Sequence, residues 1–372
     1  MPNTFLTIQN IARQALPRLI DNLVFPNLIH KDYSEAFGFQ GDTIQVRKPV
    51  VYEAKEFDQT AGVTAQDVKE ESVPVKLDHL ATVDIEFTAI QRATNVDDLN
   101  RLFLEPAAVA LAEKINADGL GLYADIPYFG GTAGTAPGAL SDFATARKIL
   151  NANKAPLPMR RGVWDTEADA KFVALDSLVE CDKAGTNRAL REGEIGRVYG
   201  IDNYTSQAIK NHTTGAAGAP LVDNAGGYEK GATTIHVGGL TAAFAVGDVF
   251  TLGGHQYVVT AAGELSTADQ DITIYPALEA AVKDNDALTV AASHTANLVF
   301  HENAFAFVTR PLAVPAGVEA YVTSYNGVTM RVVRGYNMQY KKEMARRKNA
   351  TARARKLTRL QERVGAVLAM LG

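Results

Sequence analysis

Apolar positions near the start of the chain follow a 3.6-residue period. Ile8, Ile11, Ala15, Leu19 and Leu23 between Phe5 and Val24 predict one or two short helices, with Pro17 breaking or restarting the turn. In GDTIQVRKP from Gly41, Ile44 and Val46 alternate with polar residues as in a half-buried strand. Val50 to Glu71 is charged and polar, with few large apolar residues. Alternation resumes at Val73, Val75 and Leu77, and again at Val83, Ile85 and Phe87 against Thr82, Asp84, Glu86 and Thr88. Two long strands joined by a polar tip bury little within one chain. Such an arm either finds partners on a neighbour or is an ordinary surface hairpin with a mobile tip.

Asp97 or Asp98 is placed to cap a helix whose face carries Leu104, Ala108, Leu111 and Ile115, with Pro106 near its start and its end at about Tyr123. IPYFGGTAGTAPGAL is a Gly/Pro loop. Ser141 or Asp142 then caps a second helix through about Asn151. KFVALDS from Lys171 reads as a buried strand, and GRVYGIDNYTSQAI from Gly196 as a helix end or turn followed by another strand. From about Thr213 to Ala296 the texture changes: Gly and Ala become dense among the short β-runs TTIHV, VFTLGGHQYVVT, DITIYPAL and DALTV. Gly253-Gly254 between two of these runs is a two-residue hairpin turn. Five or six short strands with turn signals predict a small β-barrel or sandwich, inserted into a host domain that resumes at NLVFHENAFAFVTRPL and VTMRVVRGYNM. The last thirty residues read as a basic amphipathic helix. Leu357, Leu360, Val364, Val367 or Leu368, and Leu371 form a near-heptad seam, with arginines on the other faces.

A length of 372 residues admits two or three domains. The lone Cys181 excludes an intramolecular disulfide and suits a reducing compartment. No apolar run approaches the ~20 residues of a membrane span. The start MPNTFLTIQN has neither the basic nor the apolar region of a signal peptide, so a cytoplasmic product is expected. The net charge of −5 hides an asymmetry. Lys341 to Arg363 carries ten Lys/Arg and two Glu, a balance of +8, which leaves −13 on the remainder. That acidic bulk argues against wrapping nucleic acid as the main task, and suits a surface lying near packaged DNA without sticking to it.

Catalytic patterns are weak throughout. Gly119-x-Gly121-x-x-Ala124 has glycine-fingerprint spacing but lies inside a predicted helix, where no backbone amides are free to hold a phosphate. GGTAG at Gly130 lacks a following Gly-Lys-Ser/Thr and reads as a hinge loop. His30, His79, His212, His236, His255, His294 and His301 show no pairing at metal spacing, and there is no HExxH or G-x-S-x-G. His301-Glu302 reads as a strand-to-loop pair, and Cys181 without a placed base as a buried cysteine. Asp284 and Asp286 resemble the start of a calcium loop, but Leu288, Thr289 and Val290 follow where oxygen ligands belong, so a polar turn is the better reading. No catalytic residue, cofactor or metal is expected.

What these segments do resemble, in order, is the tailed-phage major capsid (coat) protein of the Hong Kong 97-type fold, especially podovirus-type coat proteins with an insertion domain. HKDYSEAFGFQGDTIQVRKP resembles the entry to that family's extended loop, and LFLEPAAVALAEKINADGL its spine helix. GEIGRVYGIDNYTSQAI and NLVFHENAFAFVTRPL resemble two axial-domain segments bracketing the insertion, and VTMRVVRGYNMQYKKEM the last stretch of the common core. The resemblance runs from about Met1 to Met344 and implies an α+β fold with an added small all-β domain. The expected parts are an N-terminal arm (1–40), an E-loop β-hairpin (41–90), a P-domain spine helix (91–130) and a first A-domain part (131–212). There follow the inserted β-domain (213–296), an A/P-domain return (297–340) and the basic C-terminal helix (341–372).

It also implies a non-enzymatic subunit that self-assembles as pentamers and hexamers of an icosahedral virion shell. Its expected partners are a scaffolding protein, a portal protein and packaged double-stranded DNA, with no membrane. Lys55, Glu56, Asp58, Lys69, Glu70 and Glu71 at the E-loop tip are expected to touch a neighbouring subunit. Arg346, Arg347, Arg353, Arg355 and Arg359 are expected to meet DNA or scaffold. One departure stands out: relatives close on an extended apolar segment returning to the core, where this chain has RRKNATARARKLTRLQERVG after Met344. The rival readings are a cellular nanocompartment shell of the same fold and, more remotely, an enzymatic or ligand-binding β-domain protein.

Overall fold

The computed structural model describes residues 16, 17, 19, 22–31, 43–47, 72–88, 105–185, 188–309, 319–325, 328–337, 342–353 and 368–371. Helix α1 (Glu105–Leu120) buries Ala108, Leu111, Ala112 and Ile115, the i, i+3, i+4 face that its sequence marks as apolar. That face packs on Leu19, Leu23 and Phe25 from the N-terminal segment and on Phe300 and Phe305 from near the other end of the chain. The three phenylalanine rings meet edge to face, with centroids 5.2–5.6 Å apart. Asn116 is buried on the same face and ties the segment to the helix: its Oδ1 accepts from Phe25 N (3.2 Å) and its Nδ2 donates to Asn22 O (3.0 Å). Any Cβ at Gly119 would collide with the Phe25 ring. Gly119 therefore serves close packing, which accounts for a glycine spacing that binds no phosphate.

Strands β1 (Thr43–Arg47) and β2 (Ser72–Thr88) pair antiparallel, Thr43 opposite Lys76 and Arg47 opposite Ser72. Both alternating runs, Val73 to Leu77 and Val83 to Phe87, lie in β2, which runs unbroken for 17 residues. Among the described residues its sheet continues through strands near the end of the chain. Numbering in chain order, β16 is Glu319–Tyr325, β17 is Val328–Asn337 and β18 is Lys342–Arg353, and the order is β1-β2-β18-β17-β16. β15 (Phe307–Thr309) pairs with the end of β18. Where a helix is expected over 341–372, the described residues 342–353 form a strand held on both edges, by β2 from Thr88 to Lys76 and by β17 from Asn337 to Arg331, while Leu357, Leu360 and Val364 lie outside the described residues. Alanine, lysine and arginine favour a helix by only tenths of a kcal/mol per residue, and two hydrogen-bonded ladders outweigh that.

A second sheet holds β3 (Phe129–Gly130), β4 (Arg160–Trp164), β5 (Arg197–Val198), β6 (Ile201–Thr205), β14 (His294–His301) and β19 (Leu368–Leu371), in the order β3-β19-β14-β4-β6-β5. β7 (Asn211–His212) pairs with the start of β14. Leu368 and Leu371, expected in a helical seam, thus lie in a strand between β14 and β3. Helices α2 (Leu140–Ala152) and α3 (Thr166–Val173) cover this sheet through Phe143, Trp164 and Phe172, whose rings are 4.3–5.3 Å apart. Asp142 sits in the first turn of α2 instead of capping it from outside, its carboxylate reaching back to Gly138 N and Ala139 N (2.8 and 2.9 Å). KFVALDS is no strand: α3 begins at the N-cap Asp165, which accepts from Glu167 N and Ala168 N, and it buries Ala168 and Phe172 one turn apart. Short helices α4 (Asp176–Val179), α5 (Cys181–Ala184) and α6 (Arg188–Glu192) follow.

The third sheet is local in sequence: β8 (Ala217–Val222), β9 (Thr234–Ala242), β10 (Val249–Leu252), β11 (His255–Ala262), β12 (Gln270–Tyr275) and β13 (Thr289–Val290), in the order β13-β10-β11-β12-β9-β8. It encloses its own core of Val222, Ile235, Val237, Phe244, Phe250, Leu252, Tyr257, Ile272 and Ile274. Its two edges meet at one end, where Leu288 N donates to Pro220 O and Val222 N to Asp286 O (both 2.9 Å), so the sheet curls towards a barrel. Gly253 and Gly254 turn β10 into β11 at φ +60° and +83°, the pair of left-handed residues that a two-residue hairpin demands.

Candidate assembly interface

Two features frame the candidate interface: the long sheet of β2 and the contacts between the β8–β13 sheet and the rest of the chain. In β2, Ala81 and Val83 pack against the core beneath α1, while Leu80 is 40% exposed and Asp84 is exposed. The strand is half-buried where it crosses its own subunit. Beyond Arg47 and before Ser72 the arm leaves the described residues, and Lys55, Glu56, Asp58, Lys69, Glu70 and Glu71 lie outside them. In β18, Arg346 stands opposite Asp84, Arg347 opposite Val83 and Arg353 opposite Lys76. These three arginines therefore follow strand order and form no helical stripe. Arg355 and Arg359 lie outside the described residues.

The junction is built on a buried carboxylate. Asp248, fully buried before β10, accepts from Ala245 N (2.8 Å), Gly215 N (3.2 Å), Ala216 N (3.3 Å) and His212 Nε2 (2.8 Å). A proton on His212 Nε2 leaves Nδ1 to accept from the Tyr123 hydroxyl (3.1 Å). Tyr123 follows α1, so the chain of contacts runs from the end of that helix through β7 to the β8–β13 sheet. Burial, then the Asp248 charge, pushes the Tyr123 phenol above its ordinary range. His294 lies opposite His212 in the β7–β14 pair, with ring centroids 5.2 Å apart. Burial holds its imidazole below the usual range. The neighbouring His212 acts the same way, while the Ala292 carbonyl and the Asp248 charge oppose it. A second bond pair crosses the junction: the Gln256 amide accepts from Phe129 N (3.1 Å) and donates to Phe129 O (2.8 Å).

No pattern in the sequence groups these junction residues. Tyr123, His212, Asp248 and His294 are separated by dozens of residues, and only the β7–β14 pairing makes neighbours of the two histidines. His301 and Glu302 do mark a strand end: His301 Nδ1 accepts from Asn303 N (3.2 Å), and Glu302 pairs with Arg161 (3.0 Å). Asp284 and Asp286 bind backbone amides at Asn224 and Lys283, as a polar turn does.

No protein-family model matches the sequence, and no curated protein matches it. Solved structures do match. A chain of Mycobacterium phage Che8 aligns with a TM-score of 0.53 over 94% of this chain and 90% of its own, at 14% identity. A chain from the capsid of the cyanophage P-SCSP1u aligns at 0.51 over 94% and 88%, also at 14% identity. In class the protein is a mixed α+β chain that shares its fold, over 94% of its length, with these two phage chains.

Proposed function

We propose that this chain is a major capsid protein, a structural subunit that self-associates as pentamers and hexamers into an icosahedral phage head around double-stranded DNA. The observation that carries this reading is the likeness in fold, over 94% of the sequence, to a chain of a cyanophage capsid and to a chain of a mycobacterial phage. The arm beyond β1 and β2 is proposed to extend over a neighbouring subunit, with Lys55, Glu56, Asp58, Lys69, Glu70 and Glu71 at that interface. The β8–β13 module is proposed to be an inserted domain: its core is separate, and both flanks, β7 and β14, belong to the host sheet. A scaffolding protein and a portal protein are the further partners proposed, and the virion is the proposed location.

Electron microscopy of the expressed protein, alone and with its scaffolding partner, tests the reading. Closed shells of uniform diameter are expected. A chain that stays monomeric under every assembly condition, at concentrations where shells would form, overturns it.

A further inference from the structure

The β-module gathers a second histidine among carboxylates, on its solvent side. His236 lies on β9. Across one edge, Asp271 of β12 stands directly opposite it. Across the other, Asp223, just past β8, donates its N–H to the His236 carbonyl (3.0 Å). Asp269 enters from the tight Ser266–Asp269 turn that leads into β12. Three neighbouring strands thus deliver one donor atom each from Asp223, His236 and Asp269, all within 4.8 Å of one another.

Exposed carboxylates often cluster without holding anything, so the rest of the arrangement matters. His236 Nδ1 is engaged by Asp271 Oδ1 at 2.6 Å, which fixes the ring and leaves Nε2 as the coordinating nitrogen. Gly238 lies two residues along β9, on the same face as His236. A Cβ there would stand 3.1 Å from both Asp223 Oδ2 and Asp269 Oδ1. The glycine therefore keeps open a hollow that the two carboxylates rim. Among the described residues no lysine or arginine forms an ion pair with Asp223, Asp269 or Asp271. Three carboxylates around one imidazole leave negative charge that a bound cation offsets. An imidazole with two carboxylates suits a borderline transition ion better than calcium or magnesium, which take oxygen ligands.

We propose that Asp223, His236 and Asp269 form a binding site for a divalent transition-metal ion of the zinc class, with Asp271 as the residue that positions the imidazole. Nothing in this site depends on the chain building a shell.

Titration of the metal-free, full-length protein with zinc chloride, followed by calorimetry, tests it, with calcium and magnesium as comparators. One saturable zinc equivalent per chain is expected, with much weaker binding of the other two ions. His236→Ala and Asp269→Asn should each weaken binding tenfold or more. Asp271→Asn should weaken it by roughly 10–100-fold while keeping the stoichiometry. Gly238→Ala retains every donor but crowds the hollow, so it should lose zinc affinity with an unchanged circular dichroism spectrum. His255→Ala, at a histidine paired with Glu279 elsewhere on the module, should leave binding unchanged. Absence of saturable zinc binding in the wild type overturns the proposal. So does binding that survives intact in both the Gly238→Ala and Asp269→Asn variants.

Discussion

Asp248 concentrates more bonding than any neighbour at the module's seat: three backbone amides and an imidazole share its two oxygens in a fully buried position. Asp248→Ala removes the acceptor and strands those donors, so a loss of about 3–5 kcal/mol is expected in urea-induced unfolding. Asp248→Asn keeps the shape but cannot accept on both sides, and should fall between. His294, a few ångströms away, makes a pH prediction. Burial lowers its folded pKa, so the unfolded chain takes up the proton first as pH falls. Stability is then complete above the unfolded value of about 6.5 and is lost as pH drops below it, towards the folded pKa. The groups that face this ring are His212, Asp248 and the Ala292 carbonyl. His301, also lowered by burial, adds to the same slope. Urea midpoints measured from pH 7.5 to 5 should fall, and His294→Gln should flatten the decline. A His294→Gln variant whose midpoint depends on pH as the wild type's does would contradict the assignment.

At the scale of elements, the parts legible in the sequence are those in which local pattern and tertiary role agree. Helix α1 is readable because Ala108, Leu111 and Ile115 repeat at helical spacing and all three are buried. The β10–β11 hairpin is readable because two adjacent glycines admit few other conformations. Two elements defeat a local reading for a shared reason. KFVALDS looks β-like when read from Lys171, but its cap, Asp165, lies six residues upstream and sets a helix that ends at Val173. The stretch 342–353 has helix-forming composition, and one of its two strand partners, β2, lies more than 250 residues away along the chain. Gly119 gives a direct test of packing against propensity. In an exposed helix, Gly→Ala adds stability of up to about 1 kcal/mol. Here the added methyl meets Phe25, so Gly119→Ala should instead cost about 1–3 kcal/mol. Phe25→Leu combined with it should cost less than the two changes summed, and a double-mutant cycle measures that coupling.

For the whole molecule, the end of the chain joins two sheets that start far apart in sequence. β18 sits between β2 and β17, and β19 sits between β14 and β3. A region whose charge suggests a solvated or DNA-facing helix is therefore, at 342–353 and 368–371, part of the framework. The junction and the zinc-class cluster are hidden in the sequence for the same topological reason, since Asp223, His236 and Asp269 become neighbours only when β8, β9 and β12 align. Truncation after Met344 separates structure from charge. It removes nine of the twelve β18 residues together with all of β19. The long edge of β2 would be left without most of its ladder, and an unpaired edge of that length invites aggregation. The truncated chain is expected to be insoluble or to lose its cooperative thermal transition. Replacing Arg346, Arg347, Arg353, Arg355 and Arg359 with glutamine keeps the backbone, so that variant should fold and melt close to the wild type. If those cations meet DNA, its nucleic-acid binding should show a shallower salt dependence, by roughly 0.9 in slope for each phosphate no longer neutralised. Soluble, assembly-competent truncated chains would show that neither strand is needed to hold the framework. A glutamine variant with an unchanged salt slope would remove DNA from the partners of this segment and leave the strand as its whole role.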